Sequence, residues 1–131
     1  KVMILLIIAI PFLFRNIGNK TLCFYSLGNF TSETDETVSL VGGIAQFDIV
    51  KNERTGMRIE NITFTPTVMD YRNSFNKNTV YLLSEYTDEM CKSHNIVSYF
   101  GQELSMDMLC NYVSNAIDKK YLPKSYLDTL S

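Results

Sequence analysis

Histidine and cysteine are scarce in this chain of 131 residues, and that scarcity excludes several kinds of site. His94 is the single histidine, and one imidazole cannot build a histidine-rich metal centre. Three cysteines, Cys23, Cys91 and Cys110, lie far apart and form no C-x-x-C spacing, which argues against a zinc site and a disulfide framework. We therefore expect reduced cysteines that pack as small apolar side chains. A single bridge from Cys110 to Cys23 or to Cys91 stays open.

Positive charge is also limited. The chain has 12 Lys and Arg residues against 14 Asp and Glu, a net charge of −2, and the basic residues are scattered. A nucleic-acid interface needs a basic patch, so we expect no nucleic-acid partner. With 46% hydrophobic and 20% charged residues, the composition is that of a folded globular domain, and the length fits one domain or a piece of one.

An apolar run occupies residues 2–14 and is interrupted only by Pro11. A membrane-spanning helix needs roughly 20 apolar residues, so this run is too short to be one. With Lys1 before it and Arg15 after it, the run is similar to a signal-peptide core, but no small-residue cleavage site follows. Three interpretations stay open for residues 1–16: a signal or membrane anchor, a buried strand, or an artefactual segment.

Two alternating segments predict a β-hairpin. Residues 38–50 and 57–68 are rich in strand-forming side chains, and residues 52–56 between them form a polar loop that ends in glycine. In the second segment, simple alternation places Ile59 on the face opposite to Ile62 and Phe64. Shorter strands are expected at residues 21–27 and 79–83.

The C-terminal third changes to a helical period. Thr87 is the expected N-cap of a short helix that ends near Ser93, and Ser105 is the expected N-cap of a second, longer helix. Apolar residues then recur at helical spacing and form one buried stripe: Met106, Leu109, Cys110, Val113, Ala116 and Ile117. His94 is expected at the end of the first helix, where the helix dipole favours a protonated imidazole. Pro123 is expected to stop the second helix.

The most specific motif lies at residues 24–30. This string, FYSLGNF, resembles the Ser-Leu-Gly-Asn-Phe hallmark of the bacterial CapA family, proteins of poly-γ-glutamate capsule synthesis. An apolar hairpin follows the motif in that family, and residues 42–44 and 62–66 are similar to its opening and its close. Residues 83–87 and 121–123 are similar to the tails of some members. The resemblance covers the chain from about Ile17 to its end.

The resemblance implies an α+β fold: a hairpin-rich partial sheet followed by C-terminal helices, the C-terminal portion of a metallophosphatase-like αββα sandwich. It implies that Ser26, Gly28 and Asn29 line the family's site. Glycine lets the backbone approach a ligand closely, and asparagine offers an amide. The alternative for Asn29 is a left-handed turn that bonds locally. The implied location is a membrane or the outer face of a bacterial cell, with capsule-synthesis membrane proteins or the rest of the domain as partners.

The family's two-metal site needs ligands that this chain does not show. Its His-x-His motif normally lies shortly before the SLGNF strand, where this chain has Ile, Leu and Phe, and apolar side chains supply no metal ligand. Divalent metals are therefore expected only for the complete family site, and we expect this chain alone to hydrolyse no phosphoester.

Codon arithmetic offers a cause for the missing motif. Every isoleucine codon begins AT, so residues 7–10, Ile-Ile-Ala-Ile, are compatible with His-His-Ser-His read one nucleotide earlier. On this hypothesis residues 1–16 are a frameshifted remnant and residues 17–131 are the CapA-like part.

Three functions follow as expectations. The first is a C-terminal fragment of a CapA-like capsule protein without catalysis of its own. The second is part of a metal-dependent phosphoesterase-like hydrolase that a missing N-terminal half completes. The third is a small membrane-anchored interaction module, in which residues 2–14 insert into the bilayer and the hairpin binds a partner. An incomplete sandwich also predicts an exposed apolar patch, open strand edges and self-association.

Overall fold

A computed structural model describes residues 14–17, 21–24, 34–54, 56–72 and 77–130. The strands are β1 Phe14–Ile17, β2 Thr21–Phe24, β3 Val41–Asn52, β4 Gly56–Tyr71 and β5 Asn78–Leu82. The α-helices are α1 Asp88–Ser93, α2 Asn95–Phe100, α3 Met106–Ala116 and α4 Lys124–Leu127. Single 3₁₀ turns lie at Thr37–Leu40, Leu83–Glu85, Lys119–Tyr121 and Asp128–Leu130. The expected α+β class is confirmed.

Two antiparallel sheets are present in the described part. The larger has the order β3-β4-β5, with β4 in the centre. The smaller is the hairpin β1-β2, in which Phe14 pairs with Phe24 and Ile17 pairs with Thr21. This small hairpin joins residues from both sides of the expected boundary after residue 16, and the boundary itself stays a prediction.

Local capping signals located two helices correctly. The Thr87 hydroxyl accepts a hydrogen bond from the Met90 amide at 3.3 Å, and the Ser105 hydroxyl accepts one from the Met108 amide at 3.3 Å. The strand at β5 and the hairpin β3-β4 are confirmed as well. Helix α3 ends at Ala116, well before Pro123, which instead precedes α4 as its N-cap residue. Helices α2 and α4, of six and four residues, are too short to show a period.

The core forms where the helices cover the second half of β4. Residues 66–71 of that strand are all buried, so both of its faces are covered there. Helix α3 contributes Leu109 and Val113, and its C-cap residue contributes Ile117, each at most 4% exposed. Full burial of side chains of this size contributes about 1.5–3 kcal/mol each, so this end of the sheet holds most of the described chain's apolar stabilisation.

The first half of β4 pairs only with β3, and these residues form a two-stranded ribbon. Ala45 pairs with Phe64. Closer to the β3-β4 turn, Ile49 pairs with Ile59, so β4 has one residue more than β3 between these two pairs. Asn61 lies at this bulge in the left-handed conformation, with φ of 52°.

The bulge changes which side chains share a face. Ala45 and Ile49 are four residues apart on β3 and lie on one face, so their partners Phe64 and Ile59 lie on that face too. The expectation that Ile59 and Phe64 lie on opposite faces is therefore wrong. One extra residue reverses the alternation, and hydrophobic periodicity alone does not reveal it. The Asn61 amide donates to Asp48 Oδ2 at 2.8 Å, which holds the bulge in place.

Gly43 is required by the Phe64 ring. A Cβ at Gly43 would lie 2.5 and 2.6 Å from Cε1 and Cε2 of that ring. We expect Gly43→Ala to lower the free energy of unfolding by about 1–3 kcal/mol, because a packed ring cannot move aside without strain. Urea denaturation of the variant and the parent chain measures this loss.

Phe64→Leu supplies the control for this prediction. It removes the ring atoms that the new methyl group would meet, so Gly43→Ala should cost less in the Phe64→Leu background than in the parent chain. An equal cost in both backgrounds would show that the ring does not set the requirement for glycine.

Candidate functional site

A buried carboxylate lies at the end of β4. Asp70 is 2% exposed, and Arg72 follows two residues later on the same side of the chain. Arg72 Nε lies 3.0 Å from Asp70 Oδ1 and 2.9 Å from Oδ2. The Arg72 side chain is 32% exposed, so the guanidinium links the buried carboxylate to the protein surface.

Two tyrosines complete this polar cluster of Asp70, Arg72, Tyr81 and Tyr86. The Tyr86 hydroxyl donates to Asp70 Oδ2 at 2.8 Å. Arg72 Nη2 donates to the Tyr81 hydroxyl at 3.2 Å, and its guanidinium carbon lies 5.9 Å from the centre of the Tyr81 ring. Burial, followed by the bond to Asp70, raises the pKa of Tyr86, so the phenol stays protonated and serves as a donor.

His94 lies fully buried between α1 and α2. Its Nδ1 lies 3.0 Å from the Ile96 amide nitrogen, and its Nε2 lies 3.2 Å from the Met69 carbonyl oxygen. An amide nitrogen only donates and a carbonyl only accepts, so Nδ1 is bare, Nε2 carries the proton, and the ring is neutral. Burial lowers the pKa of His94. The expected protonated imidazole at the end of α1 is therefore wrong, because the ring is the neutral N-cap of α2.

These buried groups do not form catalytic pairs. Both nitrogens of His94 bond to the backbone, so the ring cannot accept a proton from a substrate without losing its bond to Ile96. Cys91 and Cys110 are free thiols, as expected, while the side chain of Cys23 lies outside the described residues. Burial raises the pKa of Cys91 to about 11, so at neutral pH the thiol is protonated and is a poor nucleophile.

Two open clefts of about 530 Å³ each flank the helices. One lies between the end of α2 and the start of α3 and includes Lys92 and Glu103. The other lies beside the first turns of α1 and α3 and includes Asp88, Glu89 and Asp107. Asp88 Oδ1 accepts from the Met106 amide at 3.2 Å, so this carboxylate stabilises the start of α3. Neither cleft contains the polar cluster as a whole.

The residues that the resemblance assigns to the family's site are Ser26, Gly28 and Asn29, and all three lie outside the described residues. Across residues 34–54, 56–72 and 77–130, no group of three or more His, Cys, Asp or Glu side chains is placed to hold a metal ion. The described residues therefore do not fit a two-metal site.

Within the same part of the chain, no helix is both long and apolar enough to cross a membrane.

Sequence reasoning missed the polar cluster. The predicted strand ended at Val68, whereas β4 continues to Tyr71 and carries Asp70 into the core. The available signal was the pair Asp70 and Arg72, opposite charges two residues apart directly after an apolar strand. Their tyrosine partners come from later elements, so the pair alone did not predict the cluster.

Comparisons with protein-family models, with curated proteins and with solved structures found no match to this chain.

The cluster predicts unequal roles for its two hydroxyls. Tyr86→Phe removes the donor that faces Asp70 in the protein interior, so we expect it to lower the free energy of unfolding by about 1–3 kcal/mol. Tyr81→Phe is the matched control, because its hydroxyl meets Arg72 near the surface, where water replaces it. Urea denaturation should show the larger loss for Tyr86→Phe, and equal losses would contradict a buried role for the Tyr86 bond.

Proposed function

We propose that this chain is the C-terminal part of a CapA-like protein of surface-polymer biosynthesis, that it has no catalysis of its own, and that its β3-β4 ribbon docks on the remainder of that domain. The observation that carries the proposal is an exposed apolar face on the ribbon, in the segment where the family has its hairpin. The finer fold, part of a metallophosphatase-like sandwich, belongs to the same proposal.

Sequence order supports this assignment. The FYSLGNF string at residues 24–30 precedes the hairpin, as in the family. The segments similar to the opening and close of the family hairpin lie on adjacent strands, with Gly43 paired to Pro66. The two segments are therefore spatial neighbours, which is what a hairpin with that opening and that close requires.

The ribbon is amphipathic. The register places Ile49, Lys51, Met57 and Ile59 on one face, and strand alternation adds Phe47 and Ile62, so this face is apolar apart from Lys51 at its outer end. Met57 is 75% exposed and Ile59 is 43% exposed. The opposite face pairs Gln46 with Thr63, Asp48 with Glu60 and Val50 with Arg58. This face is continuous with that of the buried Ala45 and Phe64. The apolar surface therefore runs from the core to the solvent-exposed end of the ribbon.

The stability and the charge of the ribbon both indicate a protein partner for this face. A two-stranded ribbon with an exposed apolar face is marginally stable in water and gains stability when that face is covered. The ribbon also carries three basic side chains (Lys51, Arg54, Arg58) and three acidic ones (Asp48, Glu53, Glu60), a net charge of zero. Adsorption to an anionic membrane requires excess basic charge, so the balance favours a polypeptide surface over lipid.

The ribbon face predicts self-association when the partner is absent. We expect the isolated chain to form concentration-dependent oligomers in sedimentation velocity experiments, because exposed apolar faces bury one another. The double variant Met57→Thr/Ile59→Thr should shift the chain toward monomer, because it removes the two most exposed apolar side chains of that face.

Val50→Thr is the matched control, since it makes a similar change on the opposite face of the same ribbon. It should leave the association unchanged. A parent chain that stays monomeric at all concentrations, or a control that dissociates the oligomers equally, would count against docking through this face.

The family assignment has its own test in the DNA of the locus. All three reading frames should be translated from well upstream through the codon for Phe30. An upstream frame that encodes the family's metal-binding half, including its His-x-His motif, and joins this frame near Ile17 supports the proposal. A start codon just before Lys1, with no family sequence upstream, would overturn it in favour of the anchored interaction module.

A further inference from the structure

His94 connects three elements at one buried point. Its backbone ends α1, its Nδ1 accepts from the Ile96 amide in the first turn of α2, and its Nε2 donates to the Met69 carbonyl on β4. The ring also meets the Tyr71 ring edge-to-face, with centroids 4.4 Å apart. From this geometry we propose that His94 is a pH-sensitive latch whose protonation releases α1 and α2 from β4 while the β3-β4 pairing persists.

Protonation is incompatible with the observed bonds. A protonated ring carries N–H groups on both nitrogens, so Nδ1 would face the Ile96 amide donor to donor. The ring is fully buried, so the added charge would also lie away from water. The bond to Met69 tolerates the charge, but the bond to Ile96 does not. Protonation therefore breaks the structure first at the start of α2, where the bond to the Ile96 amide is lost.

The groups around the ring do not compensate for the charge. Asp70 on β4 acts to raise the pKa of His94, and Arg72, the residue that follows β4, acts to lower it and already holds the carboxylate of Asp70. Tyr71, also on β4, donates a hydrogen bond from its hydroxyl to the Thr34 carbonyl. No titratable side chain of α1 contributes to the shift of the His94 pKa, the nearest in sequence that is buried being the protonated thiol of Cys91, and residues 95–98 at the start of α2 carry no titratable side chain. Burial is the largest influence and lowers the pKa.

The release is local because the two helices depend on the latch more than the sheet does. Helices α1 and α2 have six residues each, and helices of that length do not persist in water without tertiary contacts. The pairing of β3 with β4 spans 12 residues of β3 and makes no use of His94. Opening residues 88–100 would expose Cys91 and Ile96, both fully buried in the closed form.

The direction of the pH effect follows from the lowered pKa. The folded form holds His94 neutral, whereas an exposed imidazole has a pKa near 6.5. The latch is therefore fully closed above pH 6.5 and weakens as the pH falls below that value toward the folded pKa, because only the open form binds the proton.

Hydrogen exchange at single amides tests the proposal on the intact chain. Between pH 7.5 and pH 5.0, after correction for intrinsic exchange rates, the Ile96 and Val97 amides should lose protection by up to about thirtyfold, the ceiling set by a free imidazole of pKa 6.5. Amides within the β3-β4 pairing, such as that of Val68, should keep their protection. Equal loss in α2 and in the β3-β4 pairing would overturn the latch, since it would report global unfolding.

His94→Asn is the control variant. Asparagine is a good N-cap and offers an oxygen to the same amide, but it does not titrate. In this variant the α2 amides should lose no protection between pH 7.5 and pH 5.0, and a loss equal to that of the parent chain would overturn the proposal.

A second measurement keeps the test decisive if that variant does not fold. His94 is the chain's single histidine, so its ring signals in NMR need no assignment by mutation. They should report a neutral ring with the proton on Nε2 while α2 is protected. A ring that becomes protonated near pH 6.5 with the α2 amides still protected would overturn the proposal.

Discussion

The burial of both faces of β4 over residues 66–71 is the constraint on which the other elements depend. A buried strand presents backbone carbonyls and side chains that water cannot reach, and each polar group among them needs a partner within the protein. β5 pairs with residues 67–71 and meets part of this need. Side chains from outside the sheet meet the rest: His94 bonds to the Met69 carbonyl, and Tyr86 bonds to Asp70.

This constraint explains why residues with catalytic chemistry serve structure in the described part. The carboxylate of Asp70 belongs to β4, and the imidazole of His94 bonds to the carbonyl of Met69, the residue before it on that strand. In an active site such groups would face a cleft and keep a lone pair or a proton available. Here the carboxylate meets Arg72 and Tyr86, and the imidazole meets two backbone groups. The polar residues thus position the helices on the sheet, and one of them, His94, couples that positioning to pH.

Local chemistry made part of this structure predictable. The hydroxyls of Thr87 and Ser105 cap their helices through the amides three residues later, so the signal and the structure lie within one turn. The hairpin was predictable for the same reason, since alternation and a short Gly-ended loop specify it. The bulge at Asn61, the burial of Asp70 and the neutral His94 were not predictable. Each depends on a partner strand or on a helix packed across the sheet, and single-sequence periodicity contains neither.

The length of β4 argues that its exposed half has a role beyond this core. Strands in globular proteins are usually about 5–6 residues long, and β4 has 16. At about 3.3 Å per residue, the five residues that pair with β5 account for less than a third of its span. The outer residues are not loosely held, since a left-handed Asn61 and its bond to Asp48 fix the register that places Ile59 on the face of Phe64. Apolar surface left in water contributes nothing to folding. A long strand with a fixed register and one apolar face therefore gains stability from that face only when another surface covers it. The ribbon therefore has the properties of an interface, and the buried half of the same strand provides the rigid base that holds that interface in position.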